Sequence, residues 1–121
     1  MTHILLDIKY KHKESVLYDK NRGESIINNW CEYNNHLLVM PPVSHVFPCY
    51  EQNDYNGYTA IGLLKESHIS IHTYPEHNSI QIDFFSCKNL DKRQNEDYME
   101  RVFNKSHAVK YDCRFIARSV V

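Results

Sequence analysis

From Ser79 to Phe84 the side chains alternate polar and apolar without a fault: Ser79, Gln81 and Asp83 in one set, Ile80, Ile82 and Phe84 in the other. An extended strand with one face toward a core is the arrangement that uses such a run. Other segments read the same way. His3 to Tyr10 starts apolar and then alternates, His68 to Tyr74 alternates throughout, and Ala108 to Ser119 alternates through Val109, Tyr111, Cys113, Phe115 and Ala117. Tyr58 to Lys65 supplies a further strand. Leu37 to Met40 is strand-like, but Pro41 and Pro42 withhold ladder donors. That strand belongs at a sheet edge or carries a bulge, resuming at Val43 to Phe47.

Two segments change period. Ile26, Ile27, Trp30 and Tyr33 fall at helical spacing behind Ser25, a plausible N-cap, and predict an amphipathic helix over 25–36 with Trp30 toward the core. Asp91 can cap a second helix over 92–104, buried through Tyr98, Val102 and Phe103. Lys11 to Arg22 and Pro48 to Gly57 read as loops. The order strand, helix, several strands, helix, strand predicts an α+β fold: a two-layer sandwich in which two helices cover one face of an antiparallel sheet. At 121 residues the expectation is a single domain over 1–121.

Composition narrows the function. Fourteen Lys and Arg against fifteen Asp and Glu leave a net charge of −1, which removes the electrostatic case for nucleic acid or an anionic membrane as the main partner. The three glycines (Gly23, Gly57, Gly62) cannot build either common phosphate-binding loop. No apolar run approaches the roughly 20 residues that span a bilayer. Met1 to Tyr10, with Asp7 and Lys9 inside it, does not read as a signal peptide. Cys31, Cys49, Cys87 and Cys113 are therefore expected as free thiols in a reducing, cytoplasmic setting.

Three of the eight histidines lie in the run from Lys65 to His77. On a helix, His68 and His72 would share a face and could hold one metal ion. The alternating Ile69 and Ile71, the β-branched Thr73 and the following Pro75 favour a strand instead. There the two imidazoles lie about 13 Å apart, too far for one ion, so no metal site is expected. The strand instead presents His68, Ser70, His72 and Tyr74 on one titratable face, which by itself is compatible with plain solvation.

The same residues carry a resemblance. Glu66-Ser67-His68-Ile69-Ser70-Ile71-His72-Thr73-Tyr74-Pro75-Glu76, followed by Ile82-Asp83-Phe84-Phe85-Ser86-Cys87, resembles the signature of the prokaryotic S-adenosylmethionine decarboxylases, E-S-H-x-[ST]-I-H-[TS]-[WYF]-P-E and then a strand ending near a cysteine. The gap from His72 to Cys87 matches as well. His3-Ile-Leu-Leu resembles the first strand of the family, and Ser44-His45-Val46-Phe47 its F-H-x-F segment with Ser in the first place.

The resemblance implies a proenzyme that cuts itself between Glu66 and Ser67, giving chains 1–66 and 67–121 and turning Ser67 into a covalent pyruvoyl group. It implies that Thr59 assists processing, that His72 removes the Ser67 α-proton, and that Cys87 returns a proton to the substrate. A thiol with its ordinary pKa of about 8.5 is protonated at pH 7, as a donor must be. By the same likeness Phe47 and Tyr74 would sandwich the adenine of S-adenosylmethionine, and Glu76 would bind its ribose hydroxyls. Two processed protomers would pair as a homodimer with active sites where they meet. The implied activity is decarboxylation of S-adenosylmethionine for spermidine synthesis. Departures are Gly57-Tyr58-Thr59-Ala60-Ile61 for the family's G-V-S-G-V, Lys88 for the Gly after the cysteine, and a longer 48–56 loop. A pyruvoyl enzyme acting on arginine or ornithine, and an uncut non-catalytic homologue, are the alternatives.

Overall fold

The computed structural model describes residues 1–49 and 55–119. Six strands, β1 (Thr2–Tyr10), β2 (Val43–Phe47), β3 (Gly57–Leu64), β4 (Ser67–Tyr74), β5 (Ser79–Ser86) and β6 (Ala108–Ala117), form one sheet in the order β2-β3-β4-β5-β1-β6. Every neighbouring pair is antiparallel. Two helices, α1 (Lys20–Tyr33) and α2 (Lys92–Val102), bury residues in the same core, and the α+β sandwich expected from the strand and helix order is present.

Period two sorts the side chains. Ile4, Leu6 and Ile8 of β1, Ile69 and Ile71 of β4, and Ile80, Ile82 and Phe84 of β5 are buried. The helices answer with Ile26, Ile27, Trp30 and Met99. Trp30 lies at the centre of this layer, wholly buried, with its ring edge-on to Phe84 at 5.0 Å and stacked on Tyr98 at 5.8 Å. Its indole N–H donates to Asn95 Oδ1 at 2.8 Å, and the Asn95 amide donates back to Asn34 and to the Asp91 carbonyl. One buried amide thus ties α1 to α2. Gly23 permits the close approach of α1 to β3: a Cβ there would stand 2.6 Å from the Tyr58 ring.

Several boundaries differ from the sequence reading, the last strand among them, which ends at Ala117 rather than Ser119. Helix α1 begins at Lys20, capped by Asp19, whose carboxylate accepts from the Asn21 N–H at 3.0 Å; Ser25 lies inside the helix. The first turn carries no apolar side chain, and Lys20 pairs with Glu24 at 3.7 Å, so apolar spacing marks where the helix meets the sheet and not where it starts. The helix also ends at Tyr33, with Asn35 in the left-handed region at φ 57°. Leu37 to Met40 forms no strand; Leu38 makes one bridge to Leu64 before the two prolines. Helix α2 starts after Asp91 as expected and ends at Val102 rather than at 104; Tyr98 and the following Phe103 are buried as expected, joined by Asn95 and Met99, while Val102 is only half-buried. β2 is an edge strand, and half of the anticipated 48–57 loop, residues 50–54, lies outside the described residues.

Among the described residues no helix lies over the other sheet face. His3 and Asp83 meet on it at 3.1 Å, and Leu5, Ile61, Leu63 and Phe85 lie half-buried or exposed around them. Among the described residues no helix is long and apolar enough to cross a membrane.

Replacing Asn95 by Leu strands the buried Trp30 N–H and should cost about 1–3 kcal/mol in urea unfolding. Because both residues serve one hydrogen bond, Trp30→Phe combined with Asn95→Leu should lose less than the sum of the single losses.

Candidate active site

The turn between β3 and β4 is two residues long: Leu64 pairs with Ser67, and Lys65 and Glu66 make the reversal. Glu66 is left-handed at φ 60°, a conformation that costs an L-residue with a Cβ about 1–2 kcal/mol. The strained residue contributes the carbonyl of the Glu66–Ser67 peptide. Ser67 is 7% exposed, and the register of His68 with Phe85 brings it level with the end of β5. There the Cys87 N–H donates to Ser67 Oγ at 2.8 Å. The Cys87 thiol lies 3.9 Å from the Lys65 carbonyl. A serine hydroxyl, the peptide before it and a thiol thus occupy one corner, and Lys65, Glu66 and Cys87 line a cavity of about 360 Å³ beside it. An N–H donated to the hydroxyl oxygen fixes its position and eases loss of its proton. The arrangement fits a serine that becomes a carbonyl-bearing terminus.

His36, absent from the residues anticipated above, lines the same cavity. It is 7% exposed, and its Nε2 lies 2.7 Å from Ser86 Oγ. Ser86, fully buried, also accepts from the Lys88 N–H at 3.0 Å. Burial, and then the Lys88 cation, hold the His36 pKa below the ordinary histidine value. The one signal in the sequence was a histidine just past a helix end, too weak to single out.

The remaining anticipated residues lie elsewhere. Thr59 and His72 are cross-strand partners, with Thr59 Oγ1 2.9 Å from His72 Nδ1. Phe47 pairs with Gly57 on β2, is 48% exposed, and meets His45 edge-on at 4.8 Å. Tyr74 ends β4, 39% exposed, and its hydroxyl lies 3.5 Å from Gln81 Oε1; Glu76 follows in the single turn Pro75–His77. These five occupy one end of the sheet, and Glu66, Ser67 and Cys87 the other. Parity separates them further. Ser67 belongs to the buried set of β4 and His72 to the opposite one, five residues and about 17 Å along the strand. Within one chain His72 does not reach Ser67.

Comparison with known proteins fits this layout. A family model described as S-adenosylmethionine decarboxylase matches residues 2–118. The chain belongs to the S-adenosylmethionine decarboxylase family. An S-adenosylmethionine decarboxylase proenzyme of Archaeoglobus fulgidus is 30% identical over 90 residues, covering 74% of this chain and 73% of the relative. One from Sulfurihydrogenibium is 30% identical over 125 residues, covering 98% and 82%. The crystal structure of the adenosylmethionine decarboxylase of Aquifex aeolicus superimposes with a TM-score of 0.68 at 23% identity, over 99% of this chain and 91% of that one, and shares the fold.

The depressed pKa of His36 has a sign that unfolding can read. As pH falls through the ordinary value near 6.5, the unfolded chain takes up the proton first, so the fold loses stability until the lower folded-state pKa is passed. Urea unfolding of the Ser67→Ala chain between pH 7.5 and about 5 should show this decline, and His36→Gln should flatten it.

Proposed function

We propose that the chain is a self-processing, pyruvoyl-dependent S-adenosylmethionine decarboxylase, cut between Glu66 and Ser67 into chains 1–66 and 67–121. The carrying observation is the Cys87 N–H held on Ser67 Oγ beside the left-handed Glu66. The hydroxyl is one residue from the carbonyl it would attack, so little further ordering is needed. In the first step Ser67 Oγ bonds to the Glu66 carbonyl carbon, the Glu66–Ser67 C–N bond breaks, and an ester and a free Ser67 amine result. In the second the Ser67 α-proton is removed and the Cβ–Oγ bond breaks, releasing the Glu66 carboxylate and leaving dehydroalanine. Water then adds and ammonia departs, which leaves the pyruvoyl terminus.

When formed, that group condenses with the substrate amine and takes up the electron pair freed as CO2 leaves. Cys87, at the same corner, is the proton donor to the substrate α-carbon. His72, aligned by Thr59, is the base for the Ser67 α-proton, and its place on the opposite face of β4 supports its coming from a second copy. The uncovered sheet face, apolar around Leu5, Ile61 and Leu63, supports pairing of two chains through it. In such a homodimer Phe47 and Tyr74 of one protomer bracket the adenine, and Glu76 takes the ribose hydroxyls, opposite the Ser67 of its partner. The free thiols of Cys31, Cys87 and Cys113 are in keeping with a cytoplasmic location.

Denaturing electrophoresis of the purified protein should show two chains, the larger ending at Glu66, and mass spectrometry should find a keto terminus at position 67. Ser67→Ala should stay whole; normal cleavage of that variant would move the processing site elsewhere. Labelled CO2 should be released from S-adenosylmethionine and not from arginine or ornithine.

Ser67→Ala and His72→Ala should each be inactive alone. Co-expressed, they form mixed dimers with one intact site, and should recover about a quarter of the parent's activity. No recovery would mean that Ser67 and His72 do not act across two chains.

A further inference from the structure

We infer that His36 is a positioning residue for the self-cleavage step, acting through the Ser86 hydroxyl on the backbone that holds Ser67 Oγ. The inference rests on the processing at Glu66–Ser67 proposed above. The connection is continuous. His36 Nε2 lies 2.7 Å from Ser86 Oγ, Ser86 Oγ accepts the Lys88 N–H at 3.0 Å, and between those two residues the Cys87 N–H donates to Ser67 Oγ at 2.8 Å. Ser86 is wholly buried and His36 nearly so, and the His36 ring lies 5.8 Å from Phe84 of the core.

The consequence is directional. A hydroxyl can accept two hydrogen bonds and donate one. With Lys88 as donor, Ser86 holds the chain just past β5 in one turn, and that turn fixes where the Cys87 N–H points. His36 in turn fixes the Ser86 hydroxyl. Remove the imidazole and Ser86 Oγ is free to rotate, the Lys88 N–H loses a fixed partner, and the Cys87 N–H is no longer aimed at the attacking oxygen. Nothing in this chain touches the reacting atoms except the last link, so the effect on cleavage is one of aim.

The test uses freshly made whole chain and follows its cleavage in a single turnover by denaturing electrophoresis. His36→Ala and Ser86→Ala should each slow cleavage at least tenfold, whereas Ser86→Thr, which keeps the hydroxyl, and His36→Gln, which keeps a side-chain hydrogen bond, should cleave within about threefold of the parent. A second readout does not need cleavage. In the uncuttable Ser67→Ala background, the Lys88 amide should exchange its proton at least tenfold faster when His36→Ala is added, while amides of β1 exchange unchanged. Parent-like cleavage by both alanine variants would overturn the inference and leave the processing site standing. A parent chain that stays whole would refute the processing itself, and the Lys88 amide then decides the alignment: exchange unaffected by His36→Ala overturns it.

Discussion

Strand parity governs this molecule. On β4 successive side chains face opposite ways, so Ser67, Ile69, Ile71 and Thr73 are buried while His68, Ser70 and His72 lie on the uncovered face. The helices bury their apolar residues against the first set, and the chemistry of the second set is left open. Because the serine and the histidine of the motif are five residues apart, one strand cannot bring them together. The motif reads as one site in the sequence and folds into two candidate half-sites, one at each end of the sheet.

The half-site at the β3–β4 turn is built from backbone as much as from side chains. A two-residue reversal forces Glu66 into the left-handed region, and the peptide that follows it is held between that turn and the end of β5. Ser67 receives a backbone N–H, and that backbone is itself held by Ser86 and His36. The position of the Ser67 hydroxyl is therefore set by a strand end, an element that the rest of the sheet keeps rigid.

Much of this was legible in the sequence. The alternation at 79–84 and 68–74 marked strands because period two has one structural meaning, and Trp30 announced the core side of its helix. The start of α1 was not legible, because the turn at Lys20 is polar and only the stretch against the sheet carries an apolar pattern. Ser67, His72 and Cys87 were found through an unbroken motif. Their separation was implicit in the odd spacing of Ser67 and His72, but that becomes a distance only once β4 is placed in the sheet. His36 and Ser86 were hidden because they meet across fifty residues of chain and follow no spacing rule.

The sheet order has one more consequence. A break after Glu66 would divide the chain into one piece carrying β1, α1, β2 and β3 and another carrying β4, β5, α2 and β6. In the order β2-β3-β4-β5-β1-β6, the first piece's β1 is gripped between β5 and β6 of the second. The two fragments would be interleaved like clasped fingers and would stay together without a covalent tie. Once pulled apart they would have to find each other by diffusion, so a severed molecule inherits an assembly that only the uncut chain can make unaided by a partner.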